Sequence, residues 1–312
     1  MRNRRVIEPL VSIARSGIEE RSLVDALNLL PMNRLIRDGD TVVITPNWVK
    51  AMAPNTATVV GPKTLKELIT FVKGKNPKRI VIACGSGGDD TLKVFREIGY
   101  ERVITSEGVD FIDLNYGPYT DLNLDHSIIK TTKVNGIIKE ADVLISFSQL
   151  KVHEEATISG TIKNVALSWP PAEIHGFPKK KLGIHEDLHG FIVAMTKKVP
   201  IDLAILSVDK AMIGTGPSDG KAINTEGLVI ASTDAIAADA IGGRLLGFLP
   251  QAISYLYALY REGIGEADPR KMKMTGLTLE EAERIFSMAA YGQEVLLDKN
   301  NNIKDLHGTL PN

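Results

Sequence analysis

Apolar residues along this chain gather into short unbroken runs. TVVIT (41–45), RIVIACG (79–85), VDFIDL (109–114), ADVLISFS (141–148), DLAILSV (202–208) and GLVIAS (227–232) are rich in β-branched residues. Runs of that length and continuity suit strands covered on both faces, the habit of a largely parallel sheet. Between them the spacing shifts to the helical period, over 61–73, 90–98, 186–198 and 233–246. This alternation predicts an α/β protein with a mostly parallel or mixed sheet and helices on both faces. Past residue 250 the pattern is helical, in QAISYLYALYREG and in TLEEAERIFSMAAYGQEVL, where Thr278 with Glu280 and Glu281 makes a capped start. Residues 1–39 read as an N-terminal helical lead-in and 40–275 as one α/β domain, with a lobe boundary near 120–140 if it divides. Residues 276–312 read as a C-terminal helix with a loose polar tail.

Composition narrows the function classes. The 312 residues carry 37 Lys+Arg against 38 Asp+Glu, a formal net charge of −1. Nucleic-acid affinity comes mostly from neutralising phosphates, so no nucleic-acid partner is expected. No run approaches the roughly 20 apolar residues that span a bilayer, and no membrane partner is expected either. The basic start is broken by Glu8, Pro9 and Arg15, which argues against a signal peptide. One cysteine, Cys84, excludes an internal disulfide and a self-ligated iron–sulfur cluster. The expectation is a soluble protein of a reducing compartment, the cytoplasm.

The densest polar cluster, QLKVHEEATISGTIKNVALS at 149–168, follows a strand that otherwise reads as interior. In an extended chain Lys151 and His153 share a side. Lys163 and Asn164 follow close by. Two ammonium groups, an imidazole and an amide at the carboxyl end of a strand can fix a carboxylate or phosphate and move a proton. HEDLH places His185 and His189 four apart, one helical face if the segment is helical, with the letters of the zinc-protease pattern but no third ligand in the expected place. His153, His175, His185 and His189 are the candidate ligands of a divalent metal. GTGPSDG, through Gly214, Gly216 and Gly220, offers backbone amides to an anion, or else a tight reversal. In WPPAEIHGFPKKKLG (169–183), three prolines and three consecutive lysines predict an irregular binding loop or a solvated surface loop. Asp234 is placed to cap a helix. Asp239 sits among Ala and Ile, where a buried carboxylate needs a partner such as a Lys or His of the cluster. Asn47 and Trp48, ending the first strong strand, face the same crevice or shape a turn.

Taken together, LKVH (150–153), T-x-x-G-T-I-K-N (157–164), GTGPSDG (214–220), STDAIAADA (232–240) and the early PNW (46–48) resemble domain-of-unknown-function family 362. The resemblance runs in order through most of residues 40–275. It implies an association with iron–sulfur proteins, many of whose relatives carry a ferredoxin-like four-cysteine segment that this chain lacks. Ser207, Ile213 and Ala235 stand where the family often has Asp, an acidic residue and Pro. No single reaction is implied.

The leading expectation is an enzyme acting on a small carboxylate or phosphate. Lys151 and Lys163 neutralise it, while Asn47, Asn164, the 214–220 backbone, Asp234 and Asp239 complete the site. His153, with His185 or His189, exchanges a proton. The alternatives are a non-catalytic accessory or electron-transfer partner of an iron–sulfur protein, and a metal-dependent enzyme built on the histidines. A homo-oligomer is compatible with each.

Overall fold

The computed structural model describes residues 2–297 and 303–305. Its strands are β1 (Leu10–Arg15), β2 (Thr41–Pro46), β3 (Arg79–Cys84), β4 (Asp110–Asp113), β5 (Tyr119–Asn123), β6 (Thr131–Asn135), β7 (Val143–His153), β8 (Thr157–Ser159), β9 (Leu203–Ile213), β10 (Lys221–Asn224), β11 (Leu228–Ser232), β12 (Lys273–Gly276), β13 (Val295–Leu297) and β14 (Ile303–Asp305). The helices are α1 (Glu19–Asn28), α2 (Met32–Leu35), α3 (Pro62–Lys73), α4 (Thr91–Glu97), α5 (Tyr100–Glu107), α6 (Thr161–Ser168), α7 (Ala172–His175), α8 (Leu188–Lys198), α9 (Ala235–Leu245), α10 (Ser254–Arg261) and α11 (Leu279–Tyr291).

Ten strands form one mixed sheet in the order β12-β1-β11-β9-β7-β2-β3-β4, with β10 added to β9 and β8 to β7. The β9-β7-β2-β3-β4 stretch is parallel throughout. Alternate residues of each strand feed two cores. Val42, Ile44, Ile80 and Ile82 pack with α1, α3, α4 and α5 on one face. Val43, Val81, Leu144 and Leu206 pack with α6, α8, α9, α10 and α11 on the other. The six strands expected from the continuous runs are all present; five are largely buried, as such runs encode, while β4 at the sheet edge is not. Thr278 and Glu281 form a reciprocal capping box at the start of α11.

Two boundaries need correction. Residues 1–39 are not a purely helical lead-in: β1 lies inside the sheet, antiparallel to β11 and parallel to β12. Ser12 hid it, a polar residue in a short run. Ser12 is fully buried, and its hydroxyl donates to the Ala26 and Ala231 carbonyls. Nor does the sheet part at 120–140, where β5 and β6 form a separate hairpin while the main sheet continues from β4 to β7 by way of β2 and β3. In the C-terminal region α11 is present, and β14 pairs with β13. The rest of the predicted loose tail lies outside the described residues.

Where β2 leads off to one side of the sheet and β7 to the other, the strand order reverses. In open α/β sheets this is where ligands bind. β7 also overruns its neighbour. Its pairing with β2 ends at Phe147, yet the strand continues to His153, supported by β8. His153 therefore stands clear of the sheet edge.

Deleting residues 1–16 is expected to abolish cooperative folding, since it removes an interior strand. Ile13→Ala, at a fully buried position, should cost about 2–5 kcal/mol by urea denaturation. A truncated chain that unfolds with the parent's midpoint would contradict this placement of β1.

Candidate functional site

A cavity of about 370 Å³ opens at this reversal point. Three strand ends build it: Asn47–Lys50 after β2, Gly85–Gly88 after β3, and His153–Glu155 after β7. The first turn of α6, the 178–180 segment, His185, Pro217 and Ser218 complete the wall.

α6 is fixed from below. The Asp239 carboxylate on α9 accepts the Thr161 amide and hydroxyl, each at 2.7 Å, and the Ile162 amide at 3.0 Å. It thus does for α6 what an N-cap residue does, from 78 residues away in sequence. A β-carbon at Gly160 would lie 2.5 Å from Asp239 Oδ1, so only glycine admits the carboxylate. Burial raises the Asp239 carboxyl to about 6 against the opposing pull of these donors. The expected Lys or His partner of Asp239 is thus corrected to the backbone of α6. Asp234 caps α9, accepting the Ile236 and Ala237 amides, and lies away from the cavity.

Held in this way, the first turn of α6 presents Lys163 and Asn164 to the cavity. Asn164 donates from Nδ2 to the Thr45 carbonyl at 2.9 Å and to Ser146 Oγ at 3.1 Å, tying α6 to β2 and β7. Lys163 has neither a hydrogen bond nor an ion pair among the described residues. Desolvation lowers its amine to about 8, with the Glu155 carboxylate pulling the other way.

The other lysines around the cavity are engaged. Lys50 Nζ donates to Ser218 Oγ at 2.9 Å. Lys179 is buried and donates to the carbonyls of Gly85, Leu167 and Ser168 at 2.8, 3.0 and 3.1 Å. Burial lowers its amine to about 7. Lys180 pairs with Glu155 at 3.3 Å. Lys151, expected to meet the anion, is instead fully buried behind the wall, donating to Asn47 Oδ1 at 3.2 Å and to the Thr58 carbonyl. Burial and then the nearby Lys163 lower it to about 7. This bond occupies the Asn47 oxygen and leaves its Nδ2 without a hydrogen-bond partner among the described residues, in a side chain that lines the cavity.

His153 has a different role from the one expected. Its Nδ1 accepts the amides of Glu155 at 3.1 Å and Ala156 at 3.3 Å. Nε2 therefore carries the proton, and it is the ring nitrogen left free. Burial, then Lys163 and Lys151, drive its pKa down to about 2. It is a fixed neutral donor, not a proton acceptor. His185 is different again: its Nδ1 lies 2.5 Å from Glu155 Oε2. Burial would raise the Glu155 carboxyl, but His185 and Lys180 outweigh this and hold it below its ordinary range.

The remaining expectations separate. HEDLH does not occupy one helical face, because Asp187 caps α8 and breaks the helix between the two histidines. His189 stacks on Tyr255 with ring centroids 5.9 Å apart, outside the cavity. His175 is buried against Thr132 Oγ1 at 2.7 Å. The four histidines thus do not converge, and among the described residues no group of three or more His, Cys, Asp or Glu side chains is arranged to hold a metal ion. The buried Cys84, its thiol pushed up to about 12 by burial, does not fit a cluster either. Within GTGPSDG it is Pro217 and Ser218 that line the cavity, not Gly214, Gly216 or Gly220. Gly216 is needed for close approach, since a β-carbon there would lie 1.8 Å from the Val152 carbonyl oxygen. Trp48 turns into the core and stacks on Tyr100 at 4.1 Å. Sequence reasoning passed over Lys50, Glu155, Lys179, Lys180 and Ser218. The visible signals for them were the triple lysine, the acidic pair after His153 and, for Ser218, the GTGPSDG motif that contains it.

A mixed α/β sheet with a lysine-lined crevice at its reversal point defines an α/β protein with a candidate site there. The profile of the family described as "Domain of unknown function (DUF362)" matches residues 42–244, which hold every segment of that crevice, and the chain belongs to this family. It is 24% identical over 261 residues to the thylakoid-associated protein sll1697 of Synechocystis, covering 81% of this chain and 79% of that protein. Two solved structures are similar in part. The lactate racemase apoprotein of Thermoanaerobacterium thermosaccharolyticum is 16% identical with a TM-score of 0.44, over 76% of this chain and 57% of that one. A Thermotoga maritima protein is 14% identical with a TM-score of 0.43, over 74% and 59%. The chain thus spans less than three-fifths of either solved structure.

Lys163→Met loses no hydrogen bond and removes a desolvated amine, so it should stabilise the fold. The unfolded lysine titrates near 10.5 and the folded one near 8, so the native chain releases a proton between these values and parental stability rises with pH across that window. The gain from Met is therefore largest below pH 8, roughly 1–3 kcal/mol, and vanishes by about pH 10.5. Urea unfolding from pH 7 to 10.5 reads it. A variant less stable than the parent at pH 7 would contradict the desolvation of this amine.

Proposed function

We propose that this protein is an enzyme whose cavity binds a small carboxylate or phosphate. The observation that carries the reading is Lys163: an amine with no internal partner, facing a cavity otherwise lined by Lys50, Lys179 and Lys180. An unpaired ammonium in a half-buried site is costly, and an anionic ligand would offset that cost. Asn47 Nδ2 and His153 Nε2 add two neutral donors for the ligand's oxygens. The acidic residues on the wall are Glu154 and Glu155, and Glu155 is already occupied by His185 and Lys180.

Catalysis follows from the separation of charge states. His153 stays neutral at any physiological pH, so it polarises a substrate oxygen by donating a hydrogen bond. Lys163 titrates close to neutrality and is the group suited to exchange a proton. The proton-exchange role therefore moves from His153 to Lys163. We place the protein in a reducing compartment, in keeping with a buried unpaired Cys84. No helix of the described residues is long and apolar enough to cross a membrane.

Thermal unfolding with small carboxylates and inorganic phosphate tests this reading. A ligand of the native state should raise the melting temperature by several degrees at saturation, and Lys163→Met should erase the shift. Above about pH 8 the ligand's affinity should fall roughly tenfold per pH unit, as the Lys163 charge is lost. The same shift in parent and variant would remove Lys163 from the site and sink the proposal.

A further inference from the structure

Among the lysines around the cavity, Lys163 alone is left uncommitted. The Lys50, Lys151, Lys179 and Lys180 amines each donate to a protein oxygen, and those bonds hold strand ends and loops together. Lys163 projects from a helix turn locked by Asp239 and Asn164. Its position is thus set by the backbone while its amine is left free. Three further facts bear on what that amine can do. It is desolvated, with no hydrogen bond or ion pair of its own among the described residues, a condition that turns lysine into a nucleophile. His153 Nε2–H and Asn47 Nδ2–H, each oriented by bonds on its far side, face the same cavity as neutral donors. Lys50 and Lys180 lie further along the wall, where a carboxylate can be met.

We propose that Lys163 captures the carbonyl carbon of a small 2-oxo acid as an imine. The proposal rests on the anion-binding reading above and names its substrate class. The amine lone pair attacks the carbonyl carbon, a C–N bond forms, and the carbonyl π pair moves to oxygen beneath the His153 and Asn47 donors. Both amine protons leave with that oxygen as water, and the C–N double bond closes. No oxidant or reductant is consumed. A merely electrostatic anion site has no use for an amine that spends part of its time neutral, and a permanently charged arginine would serve it better. A nucleophile needs that neutral fraction. The fixed-neutral His153 fits the same scheme, since a proton donor strong enough to quench the amine would defeat it.

The test uses the full chain and two matched pairs of probes, glyoxylate with glycolate and 2-oxobutyrate with 2-hydroxybutyrate. Each pair shares a carboxylate, but only the oxo member has a carbonyl. The parent is incubated with each acid and cyanoborohydride, then read by intact mass and peptide mapping. The expected result is one adduct, on Lys163, with the mass of the oxo acid less one oxygen, and none with the hydroxy acids. Lys163→Arg should keep the thermal shift from the hydroxy acids and lose the adduct. In parallel, trace labelling with acetic anhydride should show the Lys163 amine of the unliganded protein titrating near 8 rather than 10.5. Thermal shifts with both members of a pair and no adduct would overturn covalent capture while leaving the anion site standing. Neither shift nor adduct would overturn both. Adducts spread over surface lysines, or an acetylation midpoint near 10.5, would also overturn the capture.

Discussion

Taking a lysine amine out of water costs several kcal/mol unless protein oxygens replace the solvent, and the crevice of this protein is organised around that cost. Lys179 meets it with three carbonyls and Lys151 with an amide oxygen and a carbonyl. In both, the lysine's positive end is spent on joining segments: Lys179 ties the 178–180 segment to the end of β3 and the end of α6, and Lys151 ties β7 to the Asn47 and Thr58 segments. Lys163 is desolvated with only the nearby Glu155 carboxylate, and no hydrogen bond among the described residues, to offset it. A fold selected only for stability would place an apolar residue there. Retaining the amine is the local inconsistency from which a functional reading starts.

The support of α6 is the reason the proposed recognition rests on side chains. A helix N-terminus is a ready anion site when its amides are free. Here the Asp239 carboxylate has already taken the Thr161 and Ile162 amides. A ligand anion would meet a negative charge behind those amides, so the helix end is closed to it and, in the proposed site, the charge-bearing contact passes to Lys163 in the same turn. The same carboxylate couples α9 to α6, so a shift of α9 would be felt at the site. Gly160 makes the coupling rigid by allowing direct contact.

Much of the architecture was legible, because strands buried on both faces leave continuous apolar runs and amphipathic helices leave a 3.6-residue period. β1 and β8 were not. β1 is short and carries Ser12, whose hydroxyl is satisfied only by tertiary partners, and β8 has three residues that exist as a strand only against the overrun of β7. The site was legible as a set of segments but not as a set of roles. Sequence shows that Lys151 and His153 lie two apart, yet not that one is sealed behind Asn47 and the other has its acceptor nitrogen occupied by amides. The KKK run shows the limit most plainly: Lys179 is buried while Lys180 and Lys181 are exposed, and nothing in three identical letters separates them.

The two cavity histidines show how anchoring rather than residue type sets chemistry. His153 and His185 share one wall and one neighbour, Glu155, but the first is held by backbone donors and the second by the Glu155 carboxylate. Donors at Nδ1 favour the neutral ring and leave Nε2–H as a hydrogen-bond donor of fixed direction. A carboxylate at Nδ1 fixes the His185 ring by a side-chain contact instead. The site therefore keeps a neutral donor, a lowered amine and a histidine–carboxylate contact within one cavity. Such separation of protonation states within a single cavity is a condition for acid–base chemistry at neutral pH, and a purely structural cluster of lysines would have no reason to maintain it.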